Sequence, residues 1–252
     1  MTNKPTDIIG SLIKGLHVLE CFDAHHSRLT ITDVATRLDM DRASARRCLL
    51  TLAHAGYADH DGKFFSLTPR ALRLGLGAQS AMPLPQIVQP WLDQLTEQIG
   101  QSCSVSILNG TEIIYVARAA QKRVMSIGLM PGSTLPAHCT SMGRVLLAAL
   151  PEADARAIIE ASDLSPRTPR SLSEPDEIMA KLAEIREVGF SINDQEIELG
   201  LRSVAVPLLD TKGRTVAALN TGMAASVEPL DALSQKYLPA LLTVQSALRR
   251  ML

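Results

Sequence analysis

Only four cysteines occur in the 252 residues, at Cys21, Cys48, Cys103 and Cys139, and none stands in a CxxC pair. That spacing offers neither a zinc knuckle nor a redox couple, so the thiols read as reduced and mostly buried. No secretory-leader pattern opens the chain, and a cytoplasmic location is expected. No apolar run approaches the roughly 20 residues of a membrane helix, so no membrane partner is expected either. The HxxxH and HExxH spacings are missing, and His25-His26 stands without further ligands nearby, which leaves no metal site and no cofactor to expect. GLGAQ and GLMPG lack the GxxxxGK[ST] spacing of a phosphate loop and read as turn glycines. The adjacent pair His138-Cys139 has no placed Asn or Asp orienter, and neighbours in sequence rarely aim at one atom, so no catalytic residue is expected. A large net charge is lacking too. The formal value of −1 excludes a globally basic coat for nucleic acid, and residues 1–82 carry a net of only +2.

What is present is concentrated first in Leu29 to Ser66, LTITDVATRLDMDRASARRCLLTLAHAGYADHDGKFFS. Thr32 is placed to cap a short helix, with Asp33 in its first turn and Val34, Ala35 and Leu38 at helical spacing. Met40-Asp41 leaves room only for a sharp turn. Asp41 then caps a second helix that stops at Gly56. At 100° per residue, Ala45, Cys48, Leu49 and Leu52 share the core side, while Ser44, Arg46, Arg47 and Thr51 project elsewhere and Arg42 lies on the first exposed turn. Tyr57 to Ser66 carries a turn at His60-Asp61-Gly62, next to Lys63, as in a hairpin wing. Helix, turn, basic helix and wing make a DNA-reading unit, because arginine bonds guanine edges bidentately and Ser or Thr bonds phosphates and base edges. The expected contacts are Thr32, Arg42, Ser44, Arg46, Arg47, Thr51 and Lys63. An ordinary solvated helix face is the plainer alternative.

The rest of the chain supports two domains. Leu12, Leu16, Leu19 and Phe22 fall on one face of a first helix, expected to pack behind the reading unit. PRALRLGLGAQSA reads as a helical linker or a dimer contact. Residues 85–100 form an amphipathic helix ending at Gly100. Strands follow at Ser102–Leu108 and Glu112–Ala117, joined by Asn109-Gly110, and then at Val124–Leu129. Helices are expected at Thr140–Leu150, Glu152–Ser162 and Glu174–Val188, the last capped by Ser173. Strands at Phe190–Asp194, Ser203–Leu209 and Val216–Thr221 come next, then a helix over Glu228–Met251. Helices flanking a mostly antiparallel sheet give an α+β class. The domains are expected at 1–67, 68–84 (linker helix) and 85–252.

Several stretches together resemble the IclR-type transcriptional regulators: SLIKGLHVLECF, TITDVATRLDMDRASARRCLLTLAHAGY, PRALRLG, LPAHCTSMGRVLLAAL, GFSINDQEIELGLRSVAVPLLD and VAALNTG. The resemblance spans roughly Ser11 to the C-terminus. HCTSMGRVLLA and GLRSVAVPL look like the branch that controls aromatic-acid catabolism, the protocatechuate and 4-hydroxybenzoate regulators of the β-ketoadipate pathway. The resemblance implies an N-terminal winged helix-turn-helix, a C-terminal effector domain with a GAF/PAS-like sheet, homodimers or homotetramers, and an organic-acid effector. The chain departs from the family where the recognition helix often reads Ser-Thr-Val-His-Arg; here Ala43-Ser44-Ala45-Arg46-Arg47 stands.

A ligand site follows from the chemistry of Pro136 to Arg144. A helix opening there leaves backbone amides unpaired, and they suit a carboxylate together with the positive dipole end. His138, Cys139, Thr140 and Ser141 add polar groups, although an ordinary capped helix start fits as well. The resemblance places the family's effector pocket against this helix start. Arg202, Ser203, Asn220 and Thr221 on two strands would wall it, with Asp194 and Glu196 on the loop leading in. Arg202 either pairs an effector carboxylate or holds Asp194 or Glu196. Leu129, Met130, Met142 and Leu201 would line the ring. The expected protein is a ligand-responsive regulator bound to a double-stranded DNA operator and an aromatic carboxylate. The alternative is an enzyme of small organic acids with an accessory DNA-binding-like module.

Overall fold

A computed structural model describes residues 8–23, 26–121 and 128–252, with backbone alone at 78–80. Contacts divide the chain into two compact units, Met1–Ala81 and Met82–Leu252. The first contains α1 (Gly10–Glu20), α2 (Ile31–Arg37), α3 (Arg42–His54), an antiparallel hairpin of β1 (Ala58–His60) and β2 (Phe65–Leu67), and α4 (Pro69–Ala81). Thr30, not Thr32, caps α2. Its hydroxyl accepts from the Asp33 amide at 3.2 Å, and the Asp33 carboxylate accepts from the Thr30 amide at 2.8 Å. This reciprocal capping box needs an extended residue three positions before the acid, and Thr32 already lies in the first helical turn. Asp41 caps α3 as expected, accepting from the Ser44 amide at 2.8 Å.

Val18, Leu29, Val34, Ala45, Leu49 and Phe65 form the core of this unit. Of the four residues expected on the inner face of α1, Phe22 packs against this core and Leu19 is half-buried, but Leu12 and Leu16 stay outside. Leu12 is 58% and Leu16 47% exposed, while Val18 on the last turn is fully buried. Only the C-terminal end of α1 therefore reaches the core. The wing turn is held by Asp61, whose carboxylate accepts from the amides of Lys63 and Phe64 at 3.0 and 2.8 Å.

The second unit is built on a six-stranded antiparallel sheet in the order β5-β4-β3-β8-β7-β6. The strands are β3 (Ser102–Asn109), β4 (Glu112–Ala119), β5 (Thr134–Pro136), β6 (Ser191–Asp194), β7 (Leu201–Leu209) and β8 (Thr215–Ala224). Helices α5 (Pro83–Ile99), α9 (Ala232–Lys236) and α10 (Leu238–Leu248) pack on one face around Val88, Leu92, Val206 and Leu241. Helices α6 (Ser141–Ala148), α7 (Glu152–Glu160) and α8 (Pro175–Val188) cover the other around Ile113, Leu147, Ile159 and Leu182. The apolar alternation of the strands therefore has a core on each side, which explains why they read as nearly continuous hydrophobic runs.

Three details differ from expectation. Ser173 does not cap α8; Glu174 occupies the cap position without a side-chain bond, and Pro175 opens the helix with its preset φ. The terminal helix is split at Tyr237, because Pro239 starts α10 in its first turn and cannot continue the donor ladder of α9. The strand expected at Val124–Leu129 falls mostly on residues 122–127, outside the described residues, while Gly128 and Leu129 are not in a strand.

Strand β4 carries a bulge. Val105 pairs with Ala117 but the next residue, Ser106, pairs with Tyr115, so Val116 is an extra residue. Val116, Ala117 and Ala119 consequently pack on the α5 side, while Tyr115 packs on the α6 side.

Candidate functional sites: a basic helix and a sheet pocket

On α3, Arg42, Arg46 and Arg47 are exposed, and among the described residues none has an acidic partner within ion-pair distance. Lys63 is exposed on the wing turn, where its ammonium lies over the Phe64 ring. Ser44 corrects the expectation that it projects outward. It is only 5% exposed, on the side of α3 that meets α1, where a small residue lets the helices approach; its hydroxyl accepts from Arg47 at 3.4 Å. Thr51 is exposed, but its hydroxyl donates to the Arg47 carbonyl at 2.8 Å, one turn back. The outward side of α3 thus presents arginines rather than hydroxyls. Thr32 is exposed on the first turn of α2.

The second site is a pocket with about 470 Å³ of atom-free space, counting its mouth, between the sheet and the start of α6. Thr140 caps α6, accepting from the Gly143 amide at 3.1 Å. Gly143 permits the close packing expected of it, since a Cβ there would run into the Ala137 backbone. Ser141 and Ser203 share a hydrogen bond of 2.8 Å across the helix–sheet gap, and the Ser106 hydroxyl lies 3.2 Å from the Met142 sulfur. Of the residues expected to bind ligand, Leu129, Thr140, Ser141, Met142, Ser203 and Asn220 line this pocket, as does Leu201.

The other candidates do not. Met130 is 58% exposed on a turn. His138 and Cys139 are buried behind the helix start, where burial pushes the Cys139 thiol up to about 11 and removes its nucleophilic form. Burial, followed by the nearby Arg144 charge, lowers the His138 pKa below 6.5, and among the described residues its Nδ1 finds no partner. Thr221 faces the opposite side of β8 from Asn220 and donates to the Ser102 carbonyl at 3.1 Å. Arg202 faces away from Ser203 for the same period-2 reason. Its Nε donates to Asp194 at 2.6 Å, and its Nη1 to the carbonyls of Ala225 and Glu228 at 2.9 and 2.7 Å. Asp194 also pairs with Arg170. Burial raises the Asp194 pKa, but hydrogen bonds from Arg202 and Gln195 and the two arginine charges outweigh it, and the net shift is downward.

Six lining residues were not expected: Tyr115, Arg118, Leu135, Asn193, Ile197 and Gly222. Arg118 reaches the pocket through the β4 bulge, which returns it to the same face as Tyr115. Its Nη1 donates to Ser104 at 2.9 Å. Desolvation lowers its pKa from the usual arginine value, and among the described residues no carboxylate offsets that burial. The sequence held a signal, a lone cation inside the apolar strand EIIYVARA.

Behind the pocket lies a buried network. Arg144 donates to both Glu196 oxygens at 2.5 and 2.6 Å and through Nε to the His138 carbonyl at 2.7 Å. Asn193, itself in the pocket wall, donates to the Cys139 carbonyl at 2.9 Å and to Glu196 at 3.2 Å. Among the described residues no group of three His, Cys, Asp or Glu could hold a metal ion.

Two family models match the chain, the IclR helix-turn-helix domain over residues 11–62 and the bacterial transcriptional regulator IclR C-terminal domain over 77–248. The Pca regulon regulatory protein of Pseudomonas putida is 40% identical over 237 residues, covering 94% of this chain and 81% of that protein. The p-hydroxybenzoate hydroxylase transcriptional activator of Acinetobacter baylyi is 35% identical over 250 residues, 97% of this chain and 92% of its own. Among solved structures, a double mutant of the PobR inducer-binding domain from Acinetobacter, in complex with 3-hydroxybenzoic acid, is 31% identical with a TM-score of 0.63, covering 67% of this chain and 98% of that one.

Proposed function

Because the chain belongs to the IclR family of bacterial transcriptional regulators, we propose a division of labour between its two units, in which α3 and the wing contact a double-stranded operator and the sheet pocket takes a small aromatic carboxylic acid. The protein is a DNA-binding transcription regulator, not an enzyme. Arg42, Arg46, Arg47 and Lys63 supply the cationic contacts, α3 lying in the major groove as in other helix-turn-helix proteins.

The observation that carries the effector reading is the pocket itself. Tyr115, Leu129, Leu135 and Met142 give it apolar walls for a flat ring, and Thr140, Ser141, Ser203 and Asn220 set polar groups around them. The names of the relatives, regulators of Pca and p-hydroxybenzoate functions, support an effector drawn from hydroxybenzoates and protocatechuate. Effector binding changes operator affinity only through a difference in affinity for two arrangements of the protein; a tenfold change needs about 1.4 kcal/mol of coupling.

The protein acts as a homo-oligomer, dimeric or tetrameric. Leu12, Ile13 and Leu16 on α1 and Leu72, Leu74 and Leu76 on α4 are exposed. A second copy that covers them would pair two reading helices for a symmetric operator. No described helix is long and apolar enough to cross a membrane, and a DNA partner places the protein in the cytoplasm.

Thermal denaturation against a panel of hydroxybenzoates, protocatechuate and aliphatic dicarboxylates tests the effector. A true effector at 100 times its Kd stabilises by about 2.7 kcal/mol. The aromatic acids are expected to raise Tm; no shift with any of them would overturn the reading.

A further inference from the structure

Within the reading of the sheet pocket as an aromatic-acid site, on which this step rests, we propose that Arg118 and Asn220 form its carboxylate end, so that the pocket selects a monoanion and holds the second polar substituent at Ser203 and Asn193. The argument begins from charge. Of the thirteen residues lining the pocket, Arg118 alone is charged. Arg144 and Arg202, the other arginines nearby, are already consumed by Glu196 and Asp194. Arg118 has a serine hydroxyl and no acid. A half-buried guanidinium without a counterion is held at a desolvation cost that one carboxylate removes. A second negative charge on the ligand would have nothing to meet it.

Asn220 is the independent observation. It is only 8% exposed, it lines the pocket, and the sheet register sets it on the same face as Ser104 and Arg118, so its side-chain amide belongs to the wall an occupant meets. Amides shielded from bulk water are normally paired, so one on the pocket wall favours an occupant that hydrogen-bonds to it.

The sheet register brings the two together. Ser104 on β3 pairs with Arg118 on one side and Asn220 on the other, so Arg118 and Asn220 flank Ser104 from the two neighbouring strands, and the Arg118 guanidinium reaches toward Asn220 as far as the Ser104 hydroxyl. The other polar end is set by the same register: Ser203 pairs with Gly222 on β8 and with Asn193 on β6. Ser104 and Ser203 are two strands apart and offset by two residues along them, about 12 Å between backbones. One benzene ring with a polar group at each end, plus a hydrogen bond at each end, fills that span. Tyr115, Leu129 and Met142 then flank the ring.

Calorimetric titration of the full-length protein with 4-hydroxybenzoate and its neutral isostere 4-hydroxybenzamide tests the assignment. The native chain is expected to prefer the acid. Arg118→Gln should lose about 10- to 100-fold in affinity for the acid and little for the amide, erasing the preference. Asn220→Asp, which sets a carboxylate beside Arg118, should do the same by supplying the missing counterion. Arg118→Lys keeps the charge without the fork and should keep the preference at reduced affinity; with Asn220→Asp it carries the test if Arg118→Gln fails to fold. A native chain that binds acid over amide, with the preference unchanged in the Gln and Asp variants, would overturn the Arg118 assignment and leave the aromatic-acid reading standing. A native chain that binds neither compound overturns both.

Discussion

In the N-terminal unit Arg42, Arg46 and Arg47 stand exposed on α3 without acidic partners among the described residues, whereas in the C-terminal unit Arg144 and Arg202 are tucked against Glu196 and Asp194. The residue type is the same and the partner decides its use. An arginine already matched by a carboxylate is part of the framework; one left unmatched is available to an anion from outside. By that criterion the three helix arginines await phosphates and bases, and Arg118, the charged residue of the pocket wall, belongs with them.

The contrast is broken most severely at Glu196. Glu196→Ala leaves Arg144 buried without a counter-charge and should cost about 3–5 kcal/mol in urea unfolding; a loss below about 1 kcal/mol would mean the pair is not framework. Arg46→Ala tests the opposite side. It should weaken operator binding by about 1–3 kcal/mol in a mobility-shift titration while leaving stability within about 0.5 kcal/mol, and equal operator affinity would remove α3 from the interface. The smallest effect is expected at His138. Its depressed pKa means that the unfolded chain takes up a proton first, so stability is fully present above about pH 6.5 and falls as the pH is lowered from there towards the folded value. His138→Gln should flatten that part of the profile.

The elements that chemistry dictates locally were legible in the residues. Asp41 capping α3, the Asn109-Gly110 hairpin, the αL stops at Gly100 and Gly189 and the Thr140 start of α6 all stand in the structure. What was not legible depended on a partner surface. Leu12 and Leu16 form an apolar face by periodicity, but periodicity does not say whether their own fold or another molecule covers it. Ser44 looked outward because helical phase alone omits α1. Adjacent strand residues Arg202-Ser203 and Asn220-Thr221 were both taken into the pocket, although alternation admits one of each pair. Arg118 was missed because the expected strand stopped at Ala117, and because a bulge changes which residues share a face without any composition signature.

That bulge has an evolutionary consequence. Val116 is the extra residue in β4, and deleting it would restore strict alternation while leaving Arg118 on the Tyr115 side and Ala117 toward the α5 layer. The pairing of β4 with β3 would be unchanged on both sides of the gap, and the cation would stay in the pocket. Along this lineage, loss of this one codon is therefore a change of strand length that the effector site can inherit without losing its charge.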